Sequence, residues 1–341
     1  MSITVDSEAV PAPSEDLMTA DVRVSDLEIY RRELTGYCYR MLGSGFEAED
    51  AVQETMVRAW RNFESFEGRS SVRSWLYRIA TNVCLDMLRG RQRRARPMDM
   101  GPASPADPAH LGPMVEEHAW VTPVADSRVV PEADDPAELA ANKESIRLAF
   151  VAALQYLPAR QRAVLILCSV LRWQATEVAE LLDTSVASVN SALQRARATL
   201  AERQADSPSP AALPADQKAL LARYVDAFER YDMSQLVSLL HQDAVQSMPP
   251  FAMWLQGPEE IGRWMTGAGI GCRGSRLVAT EANGCPAFGQ YRSDGEGGHR
   301  PWAIQIVEIS GDWITGLHAF LDTHLFAAFG LPAYLPPGLG D

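Results

Sequence analysis

Five arginines fall within eight residues: Arg89, Arg91, Arg93, Arg94 and Arg96. Just upstream, Phe63, Phe66, Trp75 and Tyr77 interleave with Arg69, Arg73 and Arg78. Rings stack on unpaired bases, and guanidinium groups neutralise a phosphate backbone and pack over ring faces, so this mixture suits nucleic acid. A second set lies further on. Val186, Val189, Leu193, Ala196 and Leu200 recur three and four residues apart, which makes one apolar helical stripe. The opposite face offers Ser188, Asn190, Ser191, Gln194, Arg195 and Arg197. Small and amide side chains at a helix start let it approach base edges closely, and arginines reach phosphates. Val178, Ala179, Leu181 and Leu182 predict a preceding helix, and in the break Asp183-Thr184-Ser185 the Thr or Ser can cap the next one. Residues 173–197 therefore read as a helix-turn-helix, although an ordinary antiparallel helix pair has the same pattern. Trp75 and Ile79 read better as core.

Catalysis needs convergent acid and base groups. The candidates are His241 with Asp243, and His318 with Asp322 and His324. On a strand, His318, Phe320 and Asp322 would share a face, yet a solitary His or Asp there is as often structural. No catalytic residues, metal or cofactor are expected. Five cysteines lie far apart without a CxxC pair, which predicts a reduced, cytoplasmic chain lacking disulfides and zinc. The longest nearly unbroken apolar stretch, 163–171, falls short of the ~20 residues of a bilayer span, so no membrane partner is expected. MSITVDSEAV has neither the basic cluster nor the apolar segment of a secretory signal.

At 341 residues the chain suggests two or three domains. Its net charge of −13 argues against nucleic acid until it is divided by segment. Residues 25–96 hold 13 bases and 10 acids, and residues 142–204 hold eight and five. Between them, residues 97–141 hold one base against nine acids. Two modestly basic modules are thus separated by a strongly acidic strip. Residues 1–24 read as a disordered tail. Helical periodicity covers 27–88 and resumes at Ala140. The intervening stretch, with eight prolines in 97–136, reads as an extended linker. After a Pro/Ser/Ala linker at 205–216, helices are expected at 217–231, 234–241 and 258–265, with strands at 275–282, 287–292, 302–309 and 313–321.

Three motifs in order carry a resemblance: EAEDAVQETMVRAW (47–60), RSSVRSWLYRIATNVCLDMLR (69–89) and LPARQRAVLILCSVLRWQATEVAELLDTSVASVNSALQRARATL (157–200). Together they resemble the extracytoplasmic-function sigma factors of the sigma-70 class. The resemblance implies a region 2 domain (25–96) that binds core RNA polymerase and melts the −10 element. It also implies a region 4 domain (142–204) whose helix-turn-helix reads the −35 element. In the first motif, Ala51, Val52, Thr55, Met56, Ala59 and Trp60 form the buried stripe. Asp50, Gln53 and Glu54 face outward and, under the resemblance, contact the clamp helices of the largest polymerase subunit. The loop 63–71, with Phe63, Phe66 and Arg69, matches the segment that captures a flipped base. Arg73, Asn82, Asp86 and Arg89 complete the expected −10 set. The family usually has Ser or Thr where Gln174 stands, which weakens that helix start. The acidic linker would suit the basic channel of the polymerase.

Residues 217–335 resemble the SnoaL-like branch of the nuclear-transport-factor-2-like fold, a cone of helices against a curved sheet. The resemblance rests on LLARYVDAFERYDMSQLVSLLHQDAVQSMPP, WLQGPEEIGRW and HAFLDTHLFAAFGLPAYLPP. It implies a built-in regulator of the sigma modules. Trp254, Trp264, Trp302 and Trp313 in such a cone suit burial of an unidentified small apolar ligand or a partner segment. The expected architecture is multidomain: two all-α modules, the second a helix-turn-helix, followed by an α+β cone. A ligand-responsive DNA-binding regulator, or a SnoaL-like enzyme acting without polymerase, is the alternative.

Overall fold

The computed structural model describes residues 24–338 apart from 67, 69, 133–134 and 204–214. The expected N-terminal tail up to residue 23, most of the second linker, and Arg69 therefore lie outside the described residues.

Helix α1 (Arg31–Leu42) ends at Gly43, whose φ of 73° places it in the left-handed region. Ser44 then caps α2 (Gly45–Arg61) by accepting from the Glu47 backbone N–H at 3.4 Å. Ser71 caps α3 (Val72–Met87) in the same way, accepting from the Ser74 N–H at 3.1 Å. Leu34, Tyr37 and Met41 of α1 bury against Ala51 and Val52 of α2 and Leu76, Ala80 and Val83 of α3.

The proline-rich connection differs from its expected form. It is packed, not an extended spacer. Trp120, Val121, Val124, Ala125 and Val129 are buried. The Val121 N–H donates to the Ala95 carbonyl at 3.1 Å, and the Thr122 N–H to that of Gly43 at 3.0 Å. The segment then forms α4 (Asp126–Val129) and α5 (Pro136–Glu144), the latter starting four residues before the expected onset. Apolar groups spaced irregularly between prolines leave no helical period, yet they anchor a non-helical chain well. Among the described residues, three of its nine acids pair with Arg or Lys side chains of the fold: Asp99 with Arg96 at 3.2 Å, Glu132 with Arg32 at 3.1 Å and Asp126 with Lys143 at 3.5 Å.

Helices α6 (Leu148–Leu154), α7 (Ala159–Leu165), α8 (Ala175–Leu181) and α9 (Val186–Arg203) form the second module. Between α8 and α9, Asp183 takes a left-handed φ of 50° and the Ser185 hydroxyl accepts from the Ser188 N–H at 3.2 Å. The start of α8 is supported despite Gln174, because the Glu177 carboxylate accepts from the Gln174 backbone N–H at 2.7 Å.

The third module has α10 (Ala215–Glu229), α11 (Met233–Val237), α12 (Pro258–Thr266) and α13 (Leu325–Ala328) around a six-stranded sheet. Its strands are β1 (Leu240–Ser247), β2 (Trp254–Gln256), β3 (Arg276–Ala282), β4 (Cys285–Ser293), β5 (His299–Ser310) and β6 (Trp313–Phe320). The order is β2-β1-β6-β5-β4-β3, antiparallel except for the β1–β6 pair. The last four strands fall where expected, within a few residues. By contrast, the expected helix at 234–241 stops at Val237 and gives way to β1, which with β2 has no counterpart in the sequence reading. Tyr224, Phe228, Leu236, Leu255 and Val307 fill the inside of the cone.

The three modules share one core. Leu34, Leu76, Val129, Leu154, Ile166, Val178, Ile304, Ile306 and Phe320 belong to a single buried cluster. At its edge the β3–β4 turn, Asn283-Gly284, takes φ of 55° and 69°, the positive angles that tight hairpins demand. A Cβ on Gly284 would collide with the Lys143 carbonyl. The fully buried Asn283 amide donates to Tyr39 Oη of α1 at 2.6 Å and to the Ile146 carbonyl at 2.7 Å. Its oxygen accepts from the Val124 N–H at 3.0 Å.

Asn283→Ala leaves the Val124 N–H and the Ile146 carbonyl without this partner, at ~1–3 kcal/mol each. It also removes one bond from Tyr39 Oη, which keeps Thr122, and adds left-handed strain. The expected loss is roughly 3 kcal/mol or more, with the C-terminal module melting separately in scanning calorimetry. A single transition at the wild-type temperature would contradict it.

Candidate nucleic-acid and partner interface

Helix α2 presents Asp50, Gln53 and Glu54 to solvent, as expected, while Ala51, Val52, Thr55 and Ala59 are buried and Met56 half-buried. Glu54 also holds Arg58 at 2.7 Å, an exposed pair one turn apart. Trp60 departs from the expected buried stripe. It is 61% exposed, and the 100° helical step places it beside Gln53 and Val57 on the outward face. An exposed Trp among polar residues is the composition of an interface anchor, and the helical angle alone would have found it.

In the expected −10 set, Phe63 and Phe66 lie against Trp75, with ring centroids 6.1 and 4.9 Å away. The three rings form one half-buried aromatic patch at the start of α3. Asn82, Asp86 and Arg89 are exposed, and Asp86 pairs with Arg89 at 3.2 Å. Arg73 is engaged elsewhere. It pairs with Glu33 at 2.8 Å and its guanidinium sits 5.2 Å from the Tyr77 ring and 5.4 Å from that of Trp173. It therefore joins the first module to the second.

Most of the arginine run is likewise committed within the molecule. Arg94 is buried, bonded to the Glu117 and Trp120 carbonyls at 3.0 and 2.7 Å and paired with Glu47 at 2.8 Å. Arg91 also holds Glu47, Arg93 stacks on Tyr156 at 3.7 Å, and Arg96 pairs with Asp99. Arg91 and Arg93 stay exposed at these contacts. Arg89, 81% exposed beside Asp86, reaches furthest into solvent of the four ion-paired arginines Arg89, Arg91, Arg94 and Arg96. Compositional clustering could not distinguish these roles.

Every expected −35 residue is exposed on α9: Ser188, Asn190, Ser191, Gln194, Arg195 and Arg197. Arg195 donates to Ser191 Oγ at 2.6 Å and Arg197 to Ser169 Oγ at 3.2 Å. Neutral hydroxyl partners hold these side chains without neutralising them. Val186, expected in the stripe, is exposed because it opens the helix at the turn.

Two buried arginines close the seam between the helical modules. Arg40 of α1 donates to Ser145 Oγ at 2.6 Å. Arg162 of α7 reaches the Met41 carbonyl, Gln155 Oε1 at 2.6 Å and the Gln155 and Leu157 carbonyls at 3.2 and 3.1 Å. Burial pulls both guanidinium groups down to about 10. Arg78 adds a bond to the Glu180 carbonyl at 2.8 Å.

In the cone, a cavity of about 450 Å³ is walled by Trp264 and Trp302 but not by Trp254 or Trp313. Trp254 donates its Nε1–H to the Gly101 carbonyl at 2.9 Å, and Trp313 is exposed. His318 lies at the margin, its ring bound to Ser247 Oγ at 2.8 Å and beside Glu308 at 3.6 Å. Burial pushes the Glu308 carboxyl up, but the neighbouring His318 outweighs it and holds the group at about 2. His318 and Phe320 share the buried face of β6, opposite Ile306 and Ile304 of β5, whereas Asp322 lies beyond the strand and bonds to His324, so the expected face forms without its carboxylate. His241 and Asp243 sit 3.7 Å apart outside the cavity. The five cysteines are free. Among the described residues no three His, Cys, Asp or Glu are grouped to hold a metal, and no helix is long and apolar enough to cross a membrane.

Comparison with known proteins adds three family matches. Residues 27–94 match Sigma-70 region 2, residues 147–200 match Sigma-70 region 4 and residues 221–315 match the SnoaL-like domain. Over 326 residues the chain is 45% identical to the ECF RNA polymerase sigma factor SigG of Mycobacterium tuberculosis, covering 92% of this chain and 86% of that one. The sigma factor SigJ of the same organism is 27% identical over 304 residues, 85% of this chain and 88% of its own. The crystal structure of the M. tuberculosis SigJ factor superposes with a TM-score of 0.57 at 23% identity, covering 91% of this chain and 100% of that one. The three-module fold therefore recurs across most of the chain.

The seam makes its own prediction. Arg162→Lys keeps the charge but not the planar fork that serves four oxygens. The expected cost is about 2 kcal/mol, since buried acceptors lose partners, read as a lower urea midpoint. An unchanged midpoint would show that the seam does not depend on this group.

Proposed function

The chain belongs to the extracytoplasmic-function RNA polymerase sigma factors, and from that premise we propose which of its residues perform each step of promoter-specific initiation. Core RNA polymerase docks on the outward face of α2, through Asp50, Gln53, Glu54 and the exposed Trp60. Acidic groups set orientation and discourage wrong partners, while the desolvated ring supplies most of the binding energy. The −10 element engages Phe63, Phe66, Asn82, Asp86 and Arg89. Here the aromatic patch offsets the few kcal/mol spent in extruding a base. Arg69 joins this set on its position in the motif. Arg73 leaves it, because its guanidinium is occupied by Glu33 and two rings.

The −35 element lies along α9. The observation that carries this reading is the fully exposed polar face from Ser188 to Arg197 with two arginines lacking carboxylate partners. Serine and asparagine near the helix start meet base edges, and the arginines meet phosphates. Acting on polymerase and promoter, the protein works in the cytoplasm.

The C-terminal domain modulates these steps and does not catalyse. It bonds through Asn283 to α1, to the connection at Val124 and to the entrance of the second module at Ile146, so it biases how the sigma modules sit. Its cavity offers no convergent acid–base set, since the partners of His318, Ser247 and Glu308, do not line it.

Three measurements test this. Asp50→Arg with Glu54→Arg should weaken core binding at least ~100-fold, because like-charge contacts cost several kcal/mol, while circular dichroism stays native-like. Unchanged affinity would move the docking face elsewhere. Arg195→Ala and Arg197→Ala should each lower the slope of log affinity against log salt by about 1. An unchanged slope for both would remove α9 as the phosphate contact. Finally, a chain ending at residue 204 should differ from the full protein in transcripts per bound factor, with the same core polymerase and promoter. Identical output would make the third domain a passenger.

A further inference from the structure

The cone cavity contains one charged side chain that the fold leaves unanswered. Arg292 of β4 lies flat on Trp302, its Cζ 3.4 Å from the ring centroid. One terminal nitrogen donates to Cys272 Sγ at 3.3 Å, a weak acceptor. Its Nε is buried and has no hydrogen-bond partner. Neither Asp nor Glu lines the cavity, and among the described residues Arg292 forms no ion pair. Arg40, Arg94 and Arg162 differ in donating to two or more oxygens each, although Arg162 Nε is likewise without a partner.

Of the other polar groups in the cavity, Gln246 meets only Met248 Sδ at 3.8 Å, His318 bonds to Ser247, and the rest form a chain. Tyr224 donates to Gln305 at 2.7 Å, Gln305 to Gln290 at 2.8 Å and Gln290 to Ser275 at 3.0 Å. The remaining wall is apolar, built from Phe228, Phe251, Trp264 and Leu317 among others. A half-buried cation without a counter-charge, in an otherwise apolar cavity of ligand size, is costly until an anion arrives. The guanidinium is planar by delocalisation and its stacking on Trp302 fixes its orientation, which favours a carboxylate fork.

Leu111 and Met114 of the region 2–region 4 connection wall the same cavity. That segment is tied to the cone by the Ser104 N–H on the Trp254 carbonyl at 2.8 Å, the Ala106 N–H on Glu260 at 2.7 Å and the Val115 N–H on the Pro250 carbonyl at 2.9 Å. Met114 is nevertheless 67% exposed, so an occupant would cover it.

We infer that the cone binds an apolar monocarboxylate, its head on Arg292 and its body against the aromatic wall and the connection at Leu111–Met114. Binding then holds the connection on the cone. This deepens the regulatory reading of the domain, but the binding itself is independent of polymerase.

Titration of the full chain with pyrenebutyrate, followed by pyrene fluorescence, is compared with its neutral analogue pyrenebutanol. The acid should bind saturably and about tenfold tighter, the minimum worth of a charge-assisted hydrogen bond. Arg292→Gln should erase that preference while leaving the alcohol's affinity unchanged, and Arg292→Lys should keep part of it. Equal affinity of the wild-type chain for acid and alcohol, or no saturable binding, overturns the proposal without any variant having to fold. Amide exchange over residues 106–115 should slow when the acid is bound, and unchanged exchange there overturns the role of the connection. Neither readout contains polymerase or promoter. A failure of the initiation scheme would leave both results standing, and the reverse also holds.

Discussion

The arrangement of the molecule depends on a carboxamide that has no water to bond. Asn283 sits at the tip of a tight hairpin, where the positive φ of both turn residues is forced by chain reversal. The tip is driven into the meeting point of α1, the connection and the entrance to α6. Backbone groups buried there need partners, and the two ends of one amide provide them to Val124 and Ile146 while the Tyr39 hydroxyl takes the remaining donor. Glycine must follow because the Lys143 carbonyl occupies the space of a Cβ. One side chain of the C-terminal domain is thus part of the interior of the sigma modules.

The same economy governs the arginines. A buried guanidinium is tolerated only where several oxygens surround it, and the seam provides them to Arg40, Arg94 and Arg162. Such groups act as brackets between segments distant in sequence, and they leave few cations for partners. Among the exposed arginines of the helical modules are Arg89 at the end of α3, and Arg195 and Arg197 along α9. The acidic connection follows the same logic, since Asp99, Asp126 and Glu132 each have a cation within the fold.

Inside the cone the polar groups divide into two classes. The Tyr224–Gln305–Gln290–Ser275 chain and the His318–Ser247 pair are complete and rigid. Arg292 is the exception, and it stands next to the segment that joins the two DNA-facing modules. The cavity and the connection between the helical modules therefore share a wall.

Local information was legible in the sequence wherever one element carries the whole signal. The apolar stripe and polar face of α9, the outward Asp50, Gln53 and Glu54 of α2, and strands β3 to β6 all follow from periodicity, because the spacing of side chains on a helix or strand is set by the backbone alone. The three motifs in order were enough to place the family. What periodicity could not contain is which partner each group meets. The arginine run looked like one basic surface, yet Arg91, Arg93, Arg94 and Arg96 turn toward different internal partners. The connection lacked a period, yet it packs through Trp120, Val121 and Val129. The first two residues of β1 read as the end of a helix and the rest carry no strand signal, since the strand's pairing with β6 spans about seventy residues of chain. Sequence determined the elements and the chemistry they can carry. Tertiary structure decided which charges are spent holding the modules together and which stay free to act, because an ion pair or a buried amide depends on distance in space and not on spacing along the chain.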